Sequence, residues 1–138
     1  MKEIQSKLIK EKIGFSIVCL YSGVIKFNEF KQWLYNLINN TDVDKLPSYI
    51  WDLIDVETGE NANISLIVDS DTNSGLDEEQ ENALMAIALE RDPILFKDFD
   101  PHITKKKAFR AFKRFPSVLN RVKEEFYFIE ELQKIREN

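Results

Sequence analysis

The chain has 138 residues, of which 43% are hydrophobic and 31% charged, and its net charge is −5. These values exclude a disordered chain and are typical of one globular domain, which we predict to span residues 1–138. The single cysteine excludes a disulfide framework. The longest uncharged apolar stretch, Ile13–Ile25, has 13 residues, too few for a membrane span of roughly 20. We find no signal-peptide pattern and expect a cytoplasmic protein without membrane contact.

Charge is distributed very unevenly along the chain. Residues 40–103 contain sixteen acidic residues and three basic ones, a net charge of −13. Residues 104–123 contain eight basic residues and no acidic one, a net charge of +8. The sequence therefore contains a strongly acidic segment followed directly by a strongly basic one.

The first part of the chain is predicted to be helical. Residues 2–12 have the pattern of an amphipathic helix, and a second, buried apolar helix covers 15–21 and stops near Ser22 and Gly23. Apolar residues three and four apart predict a third helix over 27–39. Pro47 is expected to open a short helix, since proline costs no hydrogen bond at the first helical position.

The middle of the chain contains a short apolar run, an acidic loop and a long apolar helix. Residues 64–68 fit either a lone strand or a buried helical turn. The acidic loop, residues 69–77, ends where Asp77 and Gln80 have the spacing of a capping box. The following helix, 78–91, is apolar nearly all round, which predicts that it lies at the centre of the core.

The last part of the chain is predicted to hold two more helices. Pro93 ends the preceding helix, and residues 94–102 read as an extended connector. Thr104 can cap a basic helix that runs to Arg114, and a final helix covers 117–136. The predicted fold is all-α, a compact irregular bundle of about seven helices, with one short strand if residues 64–68 are extended.

The acidic loop partly matches a calcium-binding pattern. Asp69, Asp71 and Asn73 occupy the first, third and fifth positions of an EF-hand loop. An EF-hand loop needs glycine at the sixth position and glutamate at the twelfth, but these positions hold Ser74 and Gln80. The nearest glycine and glutamate, Gly75 and Glu81, each stand one residue later. The other interpretation is a solvated acidic loop before a capped helix.

The residues needed for catalysis are sparse. Asp98, Asp100 and His102 stand at alternate positions, but His102 is the only histidine and metal sites usually need more nitrogen or sulfur ligands. Cys19 lies in an apolar run, where a thiolate is disfavoured and a buried thiol is expected. There is no glycine-rich phosphate loop, so we expect a non-enzymatic protein with no cofactor and no metal.

The basic helix is predicted to be a solvated face and not a nucleic-acid surface. Its phenylalanines recur at three-residue steps on what should be the buried side, and the sequence pI of about 5.0 opposes phosphate. Lysines at a helix N-terminus oppose the helix dipole, which points to a nearby acidic partner such as the acidic loop of the chain itself.

An exposed aromatic anchor for a protein partner is expected among four residues. These are Trp33, Tyr35, Tyr49 and Trp51. Trp33 and Tyr35 are the preferred candidates because they do not share the apolar stripe of their helix.

Three segments of the first half resemble a known class of proteins: Ile13–Ile17, Phe27–Trp33 and Leu46–Ile50. Together with the small size and acidic, helical character of the chain, they resemble the small immunity proteins of bacterial toxin systems, above all those of contact-dependent growth inhibition. The resemblance implies a cytoplasmic protein that performs no chemistry and occludes the active site of a cognate toxin, commonly a nuclease.

The sequence therefore predicts an immunity protein that binds and neutralises a cognate, basic, nuclease-type toxin, with no nucleic-acid or membrane partner. An acidic surface suits such a toxin because it steers the encounter and mimics phosphate. The alternative is a calcium- or metal-responsive regulatory module built on the loop Asp69–Glu81. The acids predicted to contact the toxin are Asp69, Asp71, Asp77, Glu78, Glu79 and Glu81, followed by Asp52, Asp55 and Glu57.

Overall fold

The computed structural model describes residues 2–57, 63–94 and 105–136. Within these ranges the chain forms eight α-helices, one 3-10 turn and no β-strand, which confirms the all-α prediction. None of the described helices is both long enough and apolar enough to span a bilayer. The elements are α1 Lys2–Ser22, α2 Phe27–Asn39, a 3-10 turn Val43–Lys45, α3 Ile50–Asp55, α4 Ile64–Ile67, α5 Glu78–Arg91, α6 Lys105–Arg114, α7 Pro116–Glu125 and α8 Glu130–Gln133.

Three helix predictions agree closely with the structure. Helix α2 covers the predicted residues 27–39, and α5 covers the predicted 78–91. Helix α6 ends at Arg114 as predicted, and a new helix begins at Pro116. The apolar run at 64–68, left open between strand and helix, contains the helix α4.

Three boundaries differ from the prediction. The two helices predicted over 2–12 and 15–21 are one continuous helix, because a glycine inside a helix costs only about 1 kcal/mol and does not break it. Helix α3 begins three residues after Pro47, following a turn in which the Ile50 amide donates to the Pro47 carbonyl over 3.0 Å.

The predicted final helix over 117–136 is also wrong, since it is divided into α7 and α8. The backbone leaves the helix at Phe126, where φ is −112° and ψ is 48°. The side-chain amide of Gln133 donates to the carbonyls of Lys123 and Phe126, both over 3.1 Å. A side chain from α8 thus satisfies carbonyls that the end of α7 leaves without a helical partner.

The described residues form two compact units. One comprises residues 2–20, 26–57 and 63–75, and the other comprises 21–25, 76–94 and 105–136. In the first unit α3 packs against α2 and α4. In the second unit α5 packs mainly on α6 and also on α7, and α7 contacts α8.

Helix α5 is the buried helix that the sequence predicted. Seven of its 14 residues are buried. The buried side of α6 consists of Ala108, Ala111 and Phe112, and the small alanines allow the two helices to approach closely. The predicted connector, with Asp98, Asp100 and His102, and the predicted cap at Thr104 lie outside the described residues.

Candidate protein-binding surfaces

Helix α3 has one buried and one exposed side. Ile50 and Leu53 are fully buried and anchor the helix to the first unit. On the other side Trp51 is 48% exposed, and Asp52 and Asp55 are both exposed. Trp51 and Asp55 are four residues apart, so their side chains are neighbours on the helix surface. We refer to Trp51, Asp52 and Asp55 as the α3 face.

Lys31 of α2 holds α3 in place. Its Nζ donates hydrogen bonds to the carbonyls of Ile54 and Val56, the second over 2.9 Å. These carbonyls lie at the C-terminal end of α3, where they have no partner within the helix and where a positive charge is favoured. The sequence contained no signal for this contact, because Lys31 is more than twenty residues away from both carbonyls.

The loop formed by residues 69–75 closes around a lysine of α1. Lys10 Nζ lies 2.9 Å from Asp69 Oδ2 and 3.9 Å from a carboxylate oxygen of Asp71. The other carboxylate oxygen of Asp69 accepts hydrogen bonds from the Asp71 amide at 3.2 Å and the Thr72 hydroxyl at 3.1 Å. The hydrogen bond with Lys10 lowers the pKa of Asp69 below its ordinary value and raises the pKa of Lys10.

This arrangement disfavours the alternative of a calcium-binding loop. The Lys10 ammonium occupies the position beside Asp69 that a metal cation would need. The amide oxygen of Asn73 accepts from the Gly75 amide at 3.1 Å, so this predicted ligand also serves the turn of the loop. The described residues contain no group of three histidine, cysteine, aspartate or glutamate side chains arranged to hold a metal ion.

Two further contacts hold the loop to the first unit. A Cβ atom added at Gly14 of α1 would collide with the backbone of Asn73, so the loop passes directly over the helix at this glycine. The hydroxyl groups of Tyr49 and Thr72 are hydrogen-bonded to each other. Burial raises the pKa of Tyr49, which favours the neutral phenol that this contact needs.

The acids at the start of α5 belong to the second unit and include two with structural roles. Asp77 is the predicted cap: its Oδ1 accepts from the Gln80 amide at 2.8 Å, and the Gln80 side chain accepts from the Asp77 amide at 3.0 Å. Glu79 accepts from Arg114 of α6 at 2.9 Å. The basic helix therefore has an acidic neighbour within the chain, but this contact joins Arg114 to a residue of α5 and not to the predicted acidic loop, residues 69–77.

Glu78 and Glu81 lie on the exposed surface of the first turns of α5. Partial burial raises the pKa of Glu81, and the charges of Glu78 and Asp77 raise it further. These like charges are close enough to interact, so they form one local acidic group.

The nine acids that the sequence singled out belong to three segments of the chain: the loop, the start of α5, and α3 with the residues just after it. All nine are exposed. At least four of them already form an ion pair or a helix cap within the chain itself. These four are Asp69, Asp71, Asp77 and Glu79.

The exposure of the four aromatic candidates differs in part from the prediction. Trp33 was a preferred anchor, but it is only 3% exposed and stacks near Phe30 with ring centres 6.4 Å apart. Tyr49 is also buried. Tyr35 is 52% exposed, as expected, and Trp51 is exposed although the sequence ranked it lower. Cys19 is fully buried, in agreement with its apolar surroundings in the sequence.

Comparison with protein-family models, with curated proteins and with solved structures finds no match to this chain. The resemblance to immunity proteins therefore stays a prediction.

Proposed function

We propose that this chain is a non-enzymatic immunity protein that acts in the bacterial cytoplasm. It binds and neutralises a cognate toxin domain that is basic and of the nuclease type. In this proposal the protein occludes the substrate-binding surface of the toxin, and it requires no cofactor, metal or nucleic acid.

The α3 face is the observation that carries this proposal. Tryptophan is enriched among the residues that dominate binding energy at protein interfaces, and here it is exposed on a short helix that Lys31 and two buried side chains hold in place. The neighbouring carboxylates of Asp52 and Asp55 complement a basic partner and accelerate the encounter with it. A prepositioned aromatic side chain with adjacent acids suits the phosphate-binding surface of a nuclease.

The contacts within the chain favour a different order among the predicted contact acids. Asp69, Asp77 and Glu79 hold parts of the chain together, so their substitution would affect stability as well as binding. Asp52 and Asp55 form no ion pair within the described residues, and they lie beside Trp51. We therefore expect the α3 acids, which the sequence ranked second, to contribute more to toxin binding than the loop acids.

The partner is identified by capture from the bacterial strain that encodes the protein. Tagged protein is used to isolate bound proteins, which are then identified by mass spectrometry. A stoichiometric basic partner that is toxic when expressed alone, and harmless when this chain is co-expressed, would establish the immunity role. A strain that yields no partner and is unaffected by deletion of the gene would contradict it.

The binding surface is then mapped with two charge-matched variants. Asp52→Lys/Asp55→Lys and the control Glu90→Lys/Glu124→Lys change the net charge equally, and all four acids are exposed. At low salt we expect the first variant to slow association with the toxin by about tenfold or more, with a smaller effect for the control. Trp51→Ala should increase the dissociation rate. Equal effects of both charge variants would show that only net charge matters and that the α3 face is not the interface.

A further inference from the structure

Helix α6 carries a second strongly charged surface, which the proposed toxin-binding role does not use. Its buried side consists of Ala108, Ala111 and Phe112, packed in the second unit. All six of its basic residues are exposed. They are Lys105, Lys106, Lys107, Arg110, Lys113 and Arg114.

Helical geometry aligns the basic residues in one stripe. At about 100° per residue, Lys106, Arg110 and Lys113 fall within an arc of roughly 60° that faces away from the buried side. With a rise of about 1.5 Å per residue, the stripe is about 10 Å long. We refer to these three residues as the α6 stripe.

The positive charge of the α6 stripe has no ionic partner within the described residues. Arg114 pairs with Glu79, whereas the three residues of the α6 stripe form no ion pair within the described part of the chain. The residues near it, Lys105 and Lys107, are also basic, and they stand in the first turn, where the helix dipole adds further positive potential. Such a concentration of like charge is unfavourable unless a negative partner approaches it.

We propose that the α6 stripe is a docking site for an acidic helical segment of another protein, with carboxylates spaced three and four residues apart. Such spacing places several carboxylates on one side of a helix, opposite the three cations. Arg114 shows the same chemistry within the chain, since its guanidinium donates a hydrogen bond to the Glu79 carboxylate over 2.9 Å.

Two observations favour carboxylates over the phosphates of a nucleic acid. A stripe of about 10 Å contacts few phosphates, and the net charge of −5 repels the rest of a long polyanion. No fully exposed phenylalanine ring lies in α6 or directly after it for bases to stack on. Phe112 is buried, Phe109 and Phe115 are half-buried, and the Arg114 guanidinium lies 5.2 Å from the ring centre of Phe115.

The test measures fluorescence anisotropy of two labelled probes on the full chain at low salt. One probe is a helical peptide with glutamates at positions i, i+4 and i+7, and the other is a short duplex RNA. The variant Lys106→Glu/Lys113→Glu is compared with Lys7→Glu/Lys26→Glu, which has the same net charge and alters exposed lysines elsewhere. The milder variant Lys106→Gln/Lys113→Gln, together with circular dichroism, separates loss of binding from loss of fold.

We expect the acidic peptide to bind the native chain and to lose about tenfold in affinity with the α6 variant, because two attractive surface pairs become repulsive. The control variant should stay within about twofold of the native chain. Absence of peptide binding, or an equal loss in the control, would overturn the proposal. Tighter binding of the duplex RNA through the same residues would also overturn it, and would assign the stripe to phosphate.

Discussion

At Gly14 of α1, glycine is expected to be more favourable than alanine, in contrast to most positions inside a helix. Alanine is normally more favourable than glycine inside a helix by roughly 0.5–1 kcal/mol. Here the loop passes so close that a Cβ atom on Gly14 would lie 2.9 Å from the Cα of Asn73 and closer still to its carbonyl group. The absence of a side chain is therefore what allows the loop to pack on α1.

Gly14→Ala should destabilise the protein by about 1–3 kcal/mol, because backbone atoms must move to relieve the overlap. The free energy of unfolding in urea measures this effect. The control is Ser6→Ala in the same helix, away from the loop, which should leave stability unchanged or slightly increase it. Stabilisation by Gly14→Ala would show that the loop does not pack against α1 as described.

Glu81 should make stability depend on pH in a predictable direction. Its pKa in the folded protein is raised by burial and by Glu78 and Asp77, so ionisation of Glu81 opposes folding. This unfavourable effect is absent below the pKa of the unfolded chain, near 4.3, and is fully present above the raised pKa of the folded chain. Because the side chain is largely exposed, the effect is small.

Glu81→Gln is therefore expected to stabilise the protein by about 0.3 kcal/mol at pH 7 and by nothing at pH 3. Urea unfolding at both pH values measures the difference. The control Glu124→Gln should show no comparable gain at pH 7. A gain for Glu81→Gln that is the same at both pH values would mean that ionisation is not its cause.

At the scale of elements, the starts of α2 and α5 depend on residues close together in the sequence, and the sequence predicted both. The capping box of α5 needs only Asp77 and Gln80, three residues apart, and both of its hydrogen bonds are present. The division of α7 from α8 depends instead on Gln133, which reaches back ten residues to the Lys123 carbonyl. No local pattern indicates such a contact.

Asp77→Ala should destabilise the protein by about 1 kcal/mol, because the Gln80 amide loses its acceptor at the N-terminus of α5. Asp77→Ser should retain most of the stability, since serine is also a good N-cap residue. Thermal unfolding followed by circular dichroism distinguishes the two variants. If alanine and serine are equally well tolerated, the cap does not contribute to stability.

Lys31 is predicted to stabilise the helical conformation of α3. Lys31→Met removes both hydrogen bonds to the end of α3 and leaves the carbonyls of Ile54 and Val56 without this donor. We expect a loss of about 1–2 kcal/mol and faster amide hydrogen exchange within α3. Lys7→Met on the exposed surface of α1 is the control, and equal exchange rates in α3 for the two variants would contradict this role.

At the scale of the whole molecule, charged side chains connect segments that are far apart in the sequence. Within the second unit the side chain of Arg91 is only 5% exposed. Its Nη1 donates to the Val24 carbonyl over 2.9 Å, and its Nε lies 3.2 Å from Glu131. The end of α5 is thereby joined to the segment after α1 and to α8.

Arg91→Met should destabilise the protein by about 2–3 kcal/mol, because a buried carbonyl loses a charged donor and Glu131 loses its partner. This is less than for a fully buried ion pair, since the Glu131 side chain is 59% exposed. Arg110→Met on the exposed side of α6 serves as the control and should change stability by less than about 0.5 kcal/mol. Similar urea midpoints for the two variants would contradict the role of Arg91.

The sequence by itself determined the features that depend on residues a few positions apart. The helical class, the bounds of α2 and α5, and the cap at Asp77 follow from spacings of three and four residues, which a single helix brings together whatever surrounds it. The burial of α5 was predictable for the same reason, because a helix that is apolar nearly all round can only be stable inside a core.

Only the tertiary structure decided which charges pair and which aromatic rings stay exposed. Lys10 meets Asp69 from 59 residues away, and so the loop that resembles a calcium site holds an ammonium group instead. Trp33 and Trp51 both lie in helices, yet one is buried and the other is exposed. Pairing and exposure depend on which distant segment packs over a side chain, and helical periodicity contains no information about that segment.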